Sequence, residues 1–405
     1  MKKLTLTLTI LTLVLFVFSA RTLVINSYMS DPAPKEVFSK LVADFEEMYP
    51  EIDVTVNTFA HEDFKTLLRT WLGSNNAPDV VTWFAGERMR YFAEKGFLEP
   101  LDDIFPNGFE EEFPEAFRTA SAYQDNIYFI PQSWYWWGVY YNKAVFKDLG
   151  LEIPKTWNEF MAVNETLKEN GKIPMAIGTK FLWTAGGWFD YLNMRINGIE
   201  FHTEFTAGKV PFTDPRVKKV FEYWKEMVDK GYFINNHSAY SWQEAANRLF
   251  TGEAGMYLMG QFIKDVAPEN VKDDIDFFRF PIIDSNVGVY EDTPIDGFMV
   301  PKNAKNIEDA KLFMKYIAGK ESQQYFADEL GRLAANKKVT PPDAHAQAGM
   351  DMILESDGVM QFFDRDMDPE MANNAMNGFV EFMMFPNRID AILENLENIR
   401  QRIYN

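Results

Sequence analysis

The sequence predicts an α/β protein divided into two lobes, on three observations. Strand and helix signals alternate without interruption over residues 23–96. The alternation restarts beyond residue 150, marked by helix-starting capping boxes and helix-stopping glycines. Removing the first 20 residues as an export segment leaves about 385, more than one hydrophobic core organises.

The export segment is residues 1–20: Lys2 and Lys3 precede an apolar run over residues 4–18, with the small Ser19 and Ala20 behind it. The run is shorter than the ~20 residues of a spanning helix, so cleavage near Ala20 or after Ser19 is expected rather than anchoring. With no cysteine in the chain, a lipid-modified cysteine and disulfides are excluded, and a soluble periplasmic or extracellular protein is expected.

Residues 23–26 form a short apolar strand. Asp31 and Pro32 then start a helix whose inner face is Val37, Phe38, Leu41, Phe45 and Met48, and Pro50 stops it. Ile52, Val54 and Val56 alternate with polar residues as a second strand. Phe64, Leu67, Leu68 and Trp71 mark the next helix, which ends at Gly73. Residues 79–83 are a third strand, followed by a helix through Met89 and Phe92 that closes at Gly96. This βαβαβα order implies a parallel, doubly wound sheet. Farther on, Thr156 with Glu159 and Ser241 with Glu244 are capping boxes, Asp214-Pro215 starts another helix, and Gly150, Gly171 and Gly231 end helices.

In such sheets ligands sit beyond the carboxyl ends of the strands. The residues there are Ser27 and Tyr28, then His61 and Asp63, then Trp83 and Phe84. Each has an ordinary structural use as well: Asp63 as a helix cap, Tyr28 and Phe84 as core. Between the lobes lies a tryptophan-rich cluster, residues 132–137 (QSWYWW), bounded by Pro131 and Gly138. Strand alternation through it would place Trp134 and Trp136 on one side.

Several chemistries are excluded. Sixty acidic against 40 basic side chains give a net charge of −20, which repels nucleic acid and anionic lipid surfaces. His61, His202, His237 and His345 lack the spacing of a helical metal pair, so no zinc site is expected. Met314 stands where a phosphate-binding loop leading to Gly319-Lys320 needs glycine, so any ATP is hydrolysed by another subunit. Asp364, Asp366 and Asp368 have calcium-loop spacing, but Pro369 and Ala375 replace the required glycine and terminal carboxylate, which favours a solvated loop. Neither a catalytic residue nor a cofactor is assigned.

An ordered series of segments resembles the extracellular solute-binding proteins of ABC importers, in the branch that includes maltose-binding proteins. The segments are residues 45–56 (FEEMYPEIDVTV), 77–81 (APDVV), 96–102 (GFLEPLD), 127–131 (IYFIP), 140–143 (YYNK), 154–160 (PKTWNEF), 212–217 (FTDPRV), 250–260 (FTGEAGMYLMG) and 296–301 (DGFMVP). The resemblance implies the two-lobed periplasmic-binding-protein fold, each lobe a doubly wound sheet flanked by helices and joined by a multi-strand hinge. It implies crossings near Pro131, Ile295 and Asn336, so that residues 21–131 and 295–335 form the N-terminal lobe and 132–294 and 336–405 the C-terminal lobe. It further implies a carbohydrate ligand, permease subunits as partners, a monomer, and a cleft faced by Trp83, Trp183, Trp188 and the segment containing Gln261. Phe262 stands where the family often has tryptophan, which implies weaker stacking there.

Flat aromatic rings suit the C–H faces of a pyranose, and acids, amides and arginines suit its hydroxyl rim. With 16% aromatic residues the chain has rings to spare. Tyr28, His61, Asp63, Trp83, Trp134, Trp136, Trp183, Trp188, Trp242, Gln261, Asp296 and Arg332 are therefore the expected ligand-binding set. Two other readings compete: a secreted glycoside hydrolase with paired carboxylates, and the same fold holding a non-sugar ligand.

Overall fold

A computed structural model describes residues 21–404. The expected export segment and its cleavage site lie outside the described residues. Two principal sheets organise the chain. Their strands are β1 (Arg21–Ser27), β2 (Ile52–Thr58), β3 (Val80–Phe84), β4 (Ile130–Trp134), β5 (Trp137–Asn142), β6 (Ile173–Ala176), β7 (Ala254–Gly260), β8 (Ile275–Phe278), β9 (Ile295–Met299) and β10 (Leu333–Ala334). The first sheet has the order β10-β4-β9-β3-β1-β2 and the second β8-β5-β7-β6.

The opening βαβαβα unit forms as expected, with helices α1 (Pro32–Met48), α2 (His61–Leu72) and α3 (Glu87–Glu94). Strand β1 pairs in parallel with both β2 and β3. The rest of this sheet is antiparallel: β9 runs against both β3 and β4, and β10 against β4. A sequence-local reading misses this because β9, β4 and β10 enter or leave the sheet where the chain passes between lobes, not through βαβ crossovers.

Each sheet carries its own core. One apolar cluster gathers side chains from residues 23–130 and 295–335, the other from residues 135–280 and 362–396. The expected inner face of α1 is buried at Val37, Phe38, Leu41 and Phe45, while Met48, its last residue, is 57% exposed. Both capping boxes form, the Asp214 side chain accepts from the Arg216 amide, and Gly150 takes the left-handed conformation that ends a helix. The chain passes between the sheets at Tyr135–Trp136, between a short strand Tyr290–Asp292 and β9, and again after β10, before the helix Ala344–Leu354. The fold is thus two-lobed with several connecting segments, and a cavity lies where they meet.

Candidate functional site

The cavity holds about 330 Å³ and is lined from both cores. From the first come Tyr28, just past β1; His61 and Asp63 at the start of α2; Phe84 at the end of β3; and Asp296 in β9. From the second come Trp137 at the start of β5, Trp183 and Trp242 at the first positions of their helices, Phe262 and Phe362.

Local backbone explains several of these placements. Leu182 has φ of +66°, unusual for a residue with a Cβ, and this turn starts the helix Trp183–Thr206 with Trp183 at its tip. In β9 the register against β4 shifts between Asp296 and Gly297, a bulge that re-aims Asp296. Only glycine fits at 297, because a Cβ there would lie 2.0 Å from the Ile130 carbonyl oxygen.

Aromatic faces form the walls. Tyr28 stacks on Phe84 with centroids 5.2 Å apart, and Trp137 stacks on Phe362 at 4.6 Å. Phe262 packs edge-on to Trp242 at 5.2 Å, and Trp183 meets Trp137 at 6.0 Å. Phe262 lines the cavity, so the ring presented from this segment is a phenyl group.

Charged groups sit between the walls in pairs. Arg365 Nη1 donates to Asp296 Oδ1 at 2.9 Å and to the Ile295 carbonyl at 3.0 Å, while Nη2 donates to the Tyr135 hydroxyl at 2.9 Å. The Arg365 guanidinium also lies 4.3 Å over the Phe84 ring. Arg332 pairs with Asp265. Arg88 Nη2 donates to Asp364 Oδ2 at 2.6 Å. Burial opposes the Asp364 charge, but Arg88 and then Lys65 hold its pKa below the ordinary value. Burial pushes the His61 pKa well below 6.5, helped by Lys65, so the ring is neutral. Several buried polar atoms on the lining have no hydrogen-bond partner among the described residues: both side-chain ends of Gln132, Ser133 Oγ, His61 Nε2 and Arg332 Nε.

Of the expected set, the fold brings together Tyr28, His61, Asp63, Trp183, Trp242, Asp296 and Arg332. The other five sit elsewhere. Trp83 is 2% exposed and turned into the first core, where its Nε1–H donates to the Arg88 carbonyl; strand alternation gives the cavity to Phe84 instead. Trp134 donates to the Ala334 carbonyl at 2.9 Å. Trp136 is fully buried in a small satellite core, where its ring occupies the space over Gly349. The regular alternation expected for these two fails because the chain leaves one sheet and joins the other at Tyr135–Trp136, so Tyr135 and Trp137 line the cavity. Trp188, five residues along the helix from Trp183, points into the second core against Phe233 and Phe280. Gln261 spans two segments, its Nε2 donating to the carbonyls of Leu330 at 3.3 Å and Gly331 at 2.9 Å. Ser27 is buried, and its hydroxyl accepts from the Met29 amide.

The expected ligand-binding set left out Gln132, Ser133 and Tyr135, although they belong to the interlobe cluster, and sequence reasoning missed Asp265, Phe362 and Arg365 altogether. The polar pair Gln132-Ser133 inside an apolar strand was a usable signal; nothing local marks Arg365. The three aspartates with calcium-loop spacing do three different jobs. Asp364 pairs with Arg88, Asp366 accepts from the Gln361 amide, and Asp368 caps the helix Pro369–Met384. Among the described residues no group of three or more His, Asp or Glu side chains is placed to hold a metal.

Comparison with known proteins gives this geometry its context. Residues 30–324 match the bacterial extracellular solute-binding protein family. An ABC transporter extracellular-binding protein of Pyrococcus horikoshii is 30% identical over 310 residues, covering 75% of this chain and 69% of its own. The multiple sugar-binding protein of Streptococcus mutans is 23% identical, covering 74% and 72%. Among solved structures, the bacterial solute receptor AcbH, described as having an exclusive preference for β-D-galactopyranose, superposes with a TM-score of 0.91 at 32% identity, covering 95% of this chain and 99% of that one. Proteins of this family bind solutes for transport and are not enzymes, which removes the secreted-hydrolase reading. Among the described residues no helix is long and apolar enough to cross a membrane. The chain belongs to the bacterial extracellular solute-binding protein family and is the solute-binding component of an ABC transporter.

Proposed function

We propose that the ligand is a sugar, held between the aromatic walls and read by the polar groups of the rim. The observation that carries this is the pairing of two kinds of surface in one cavity. Tyr28, Trp183 and Trp242 offer flat faces, while Gln132, Ser133, His61 and Arg332 keep buried donors or acceptors without partners. A buried polar group left unpaired costs about 1–3 kcal/mol, so each favours a ligand that satisfies it. A ring with C–H faces and a hydroxyl edge does both. The similarity to a galactopyranose receptor supports the same class.

A volume of about 330 Å³ lies near the lower end of the ~300–1,000 Å³ of small-molecule pockets, which fits one or two sugar rings better than a long chain. Residues 21–131 with 295–335, and 132–294 with 336–405, would move as bodies about the connecting segments. The two separate cores support that division. The ligand touches both bodies, stabilises the closed population, and presents it as a monomer to the permease outside the cytoplasmic membrane.

Thermal-shift screening against mono- and disaccharides, followed by calorimetry, tests the reading. At least one should raise the melting temperature and bind with Kd below about 1 mM. If none does while a peptide or polyamine does, the sugar reading is wrong.

A further inference from the structure

The charges on the cavity wall are unevenly neutralised. All three cations of the lining are paired: Lys65 lies 3.2 Å from Glu62, Arg365 lies 2.9 Å from Asp296, and Arg332 is bound to Asp265. Asp364 is matched by Arg88. Asp31 and Asp63 also line the cavity, and neither has a cationic partner within 4.0 Å among the described residues.

Asp31 was expected to cap α1, but its side chain makes no capping hydrogen bond. It is half-buried and faces the cavity from the residue just before the helix. Burial raises its pKa, with Gln243 and Arg332 only partly offsetting. Asp63 sits in the first turn of α2 and is exposed. Gln132 and Ser133 line the same cavity, each 1% exposed and with side-chain polar atoms that have no hydrogen-bond partner among the described residues, so the cavity is built for a polar ligand.

We propose that this cavity selects by charge, accepting neutral hexoses and hexosamines and rejecting hexuronates and phosphorylated sugars. The inference rests on the sugar reading above. An anionic ligand would meet two unneutralised carboxylates, and the guanidinium charges it could approach are already matched: Arg365 by Asp296, and Arg332, whose Nε–H alone is free among the described residues, by Asp265. Drawing either charge away would leave a buried carboxylate less compensated. A neutral ring meets no such opposition. An ammonium group near Asp31 or Asp63 gains a partner that the fold does not supply.

The test uses matched triplets on the full chain: glucose, glucosamine and glucuronate, then galactose, galactosamine and galacturonate. Calorimetry should give a Kd for the hexuronate at least about tenfold above that of its parent hexose, with the hexosamine within about threefold of the parent or tighter. In the double variant Asp31→Asn, Asp63→Asn the hexuronate-to-hexose ratio should fall by at least about threefold. Should that variant fail to fold, salt provides the same test. Raising ionic strength from about 0.01 M to about 1 M shortens the Debye length from about 30 to about 3 Å and should narrow the ratio in the native protein. Equal or tighter hexuronate binding, or a ratio indifferent to both salt and the variant, overturns the charge selection while leaving sugar binding intact. Binding of no member of either triplet overturns this proposal together with the sugar reading for hexoses.

Discussion

Arg365 donates to Asp296 at 2.9 Å, joining a segment of the second core to the bulged strand of the first. Both side chains are largely buried, at 8% and 14% exposure. The same guanidinium holds the Tyr135 hydroxyl and the Ile295 carbonyl, so one side chain orders three parts of the cavity wall. Arg365→Leu should therefore destabilise the protein by about 3–5 kcal/mol, because it leaves Asp296 charged and unpaired in a poorly solvated place. Adding Asp296→Leu should recover much of that loss. Urea unfolding of the four proteins in a double-mutant cycle measures it; a single-variant cost under about 1 kcal/mol would show the pair to be a surface-like bridge.

Trp183 and Trp188 stand on one helix, yet only the first lines the cavity. Trp183→Ala should raise the ligand Kd at least about tenfold. Its side chain is 8% exposed and packs on Trp137, so stability falls as well. Trp188→Ala should cost about 3–5 kcal/mol of stability, as expected for a large core ring, with the ligand Kd of the folded protein little changed. Calorimetry and denaturant melts on the two variants separate the roles. If both lose affinity equally, the wall at Trp183 acts by packing alone.

What the sequence made legible was local. Thr156 with Glu159, Asp214-Pro215 and Gly150 act through atoms a few residues away, and each was recognisable as a helix boundary for that reason. The candidate site is legible where a residue's position beyond a strand decides its direction, as for Tyr28, His61 and Asp63. It is illegible where direction depends on a remote partner. Trp134 and Trp136 look like a strand face, but the switch of sheets at Tyr135–Trp136 reverses which rings reach the cavity. Arg365 is 69 residues from Asp296 in sequence, and only the folded chain puts them in contact.

Stability should fall as pH rises above neutrality, because several buried acids keep their protons in the folded state. Asp190 and Asp292 are both fully buried, and neither oxygen of Asp292 has a hydrogen-bond partner among the described residues. Burial, and then the neighbouring Asp292 charge, raises the Asp190 pKa well above 3.8; burial, and then Glu291, does the same for Asp292. Burial pushes Asp366 up to about 7. With folded pKa values above unfolded ones, the folded state binds more protons, so stability declines from about pH 4 until the folded values are passed. His202, His237 and His345, lowered to about 4 by burial, have the opposite slope, but only below their unfolded pKa of about 6.5. Between about pH 6.5 and 8.5 the acids alone operate. Calorimetric melting should show a Tm that drops across this range and a shallower drop in Asp292→Asn; a flat native profile would mean that these carboxyls ionise freely.

Gln261 makes the last prediction, because its side chain holds the Leu330 and Gly331 carbonyls while its backbone belongs to a segment packed on the second core. On the proposed hinge reading, these two hydrogen bonds favour the approach of the two bodies whether or not ligand is present. Gln261→Ala removes them without touching the cavity lining. A neutral hydrogen bond contributes about 0.5–1.5 kcal/mol net, so the closed population should fall and the apparent Kd should rise by roughly two- to tenfold. In small-angle scattering the ligand-free variant should have a larger radius of gyration than the native protein, and saturating ligand should bring both to the same compact value. A variant that binds more weakly but scatters identically when ligand-free would place the effect in local order near Phe262 and rule out the hinge.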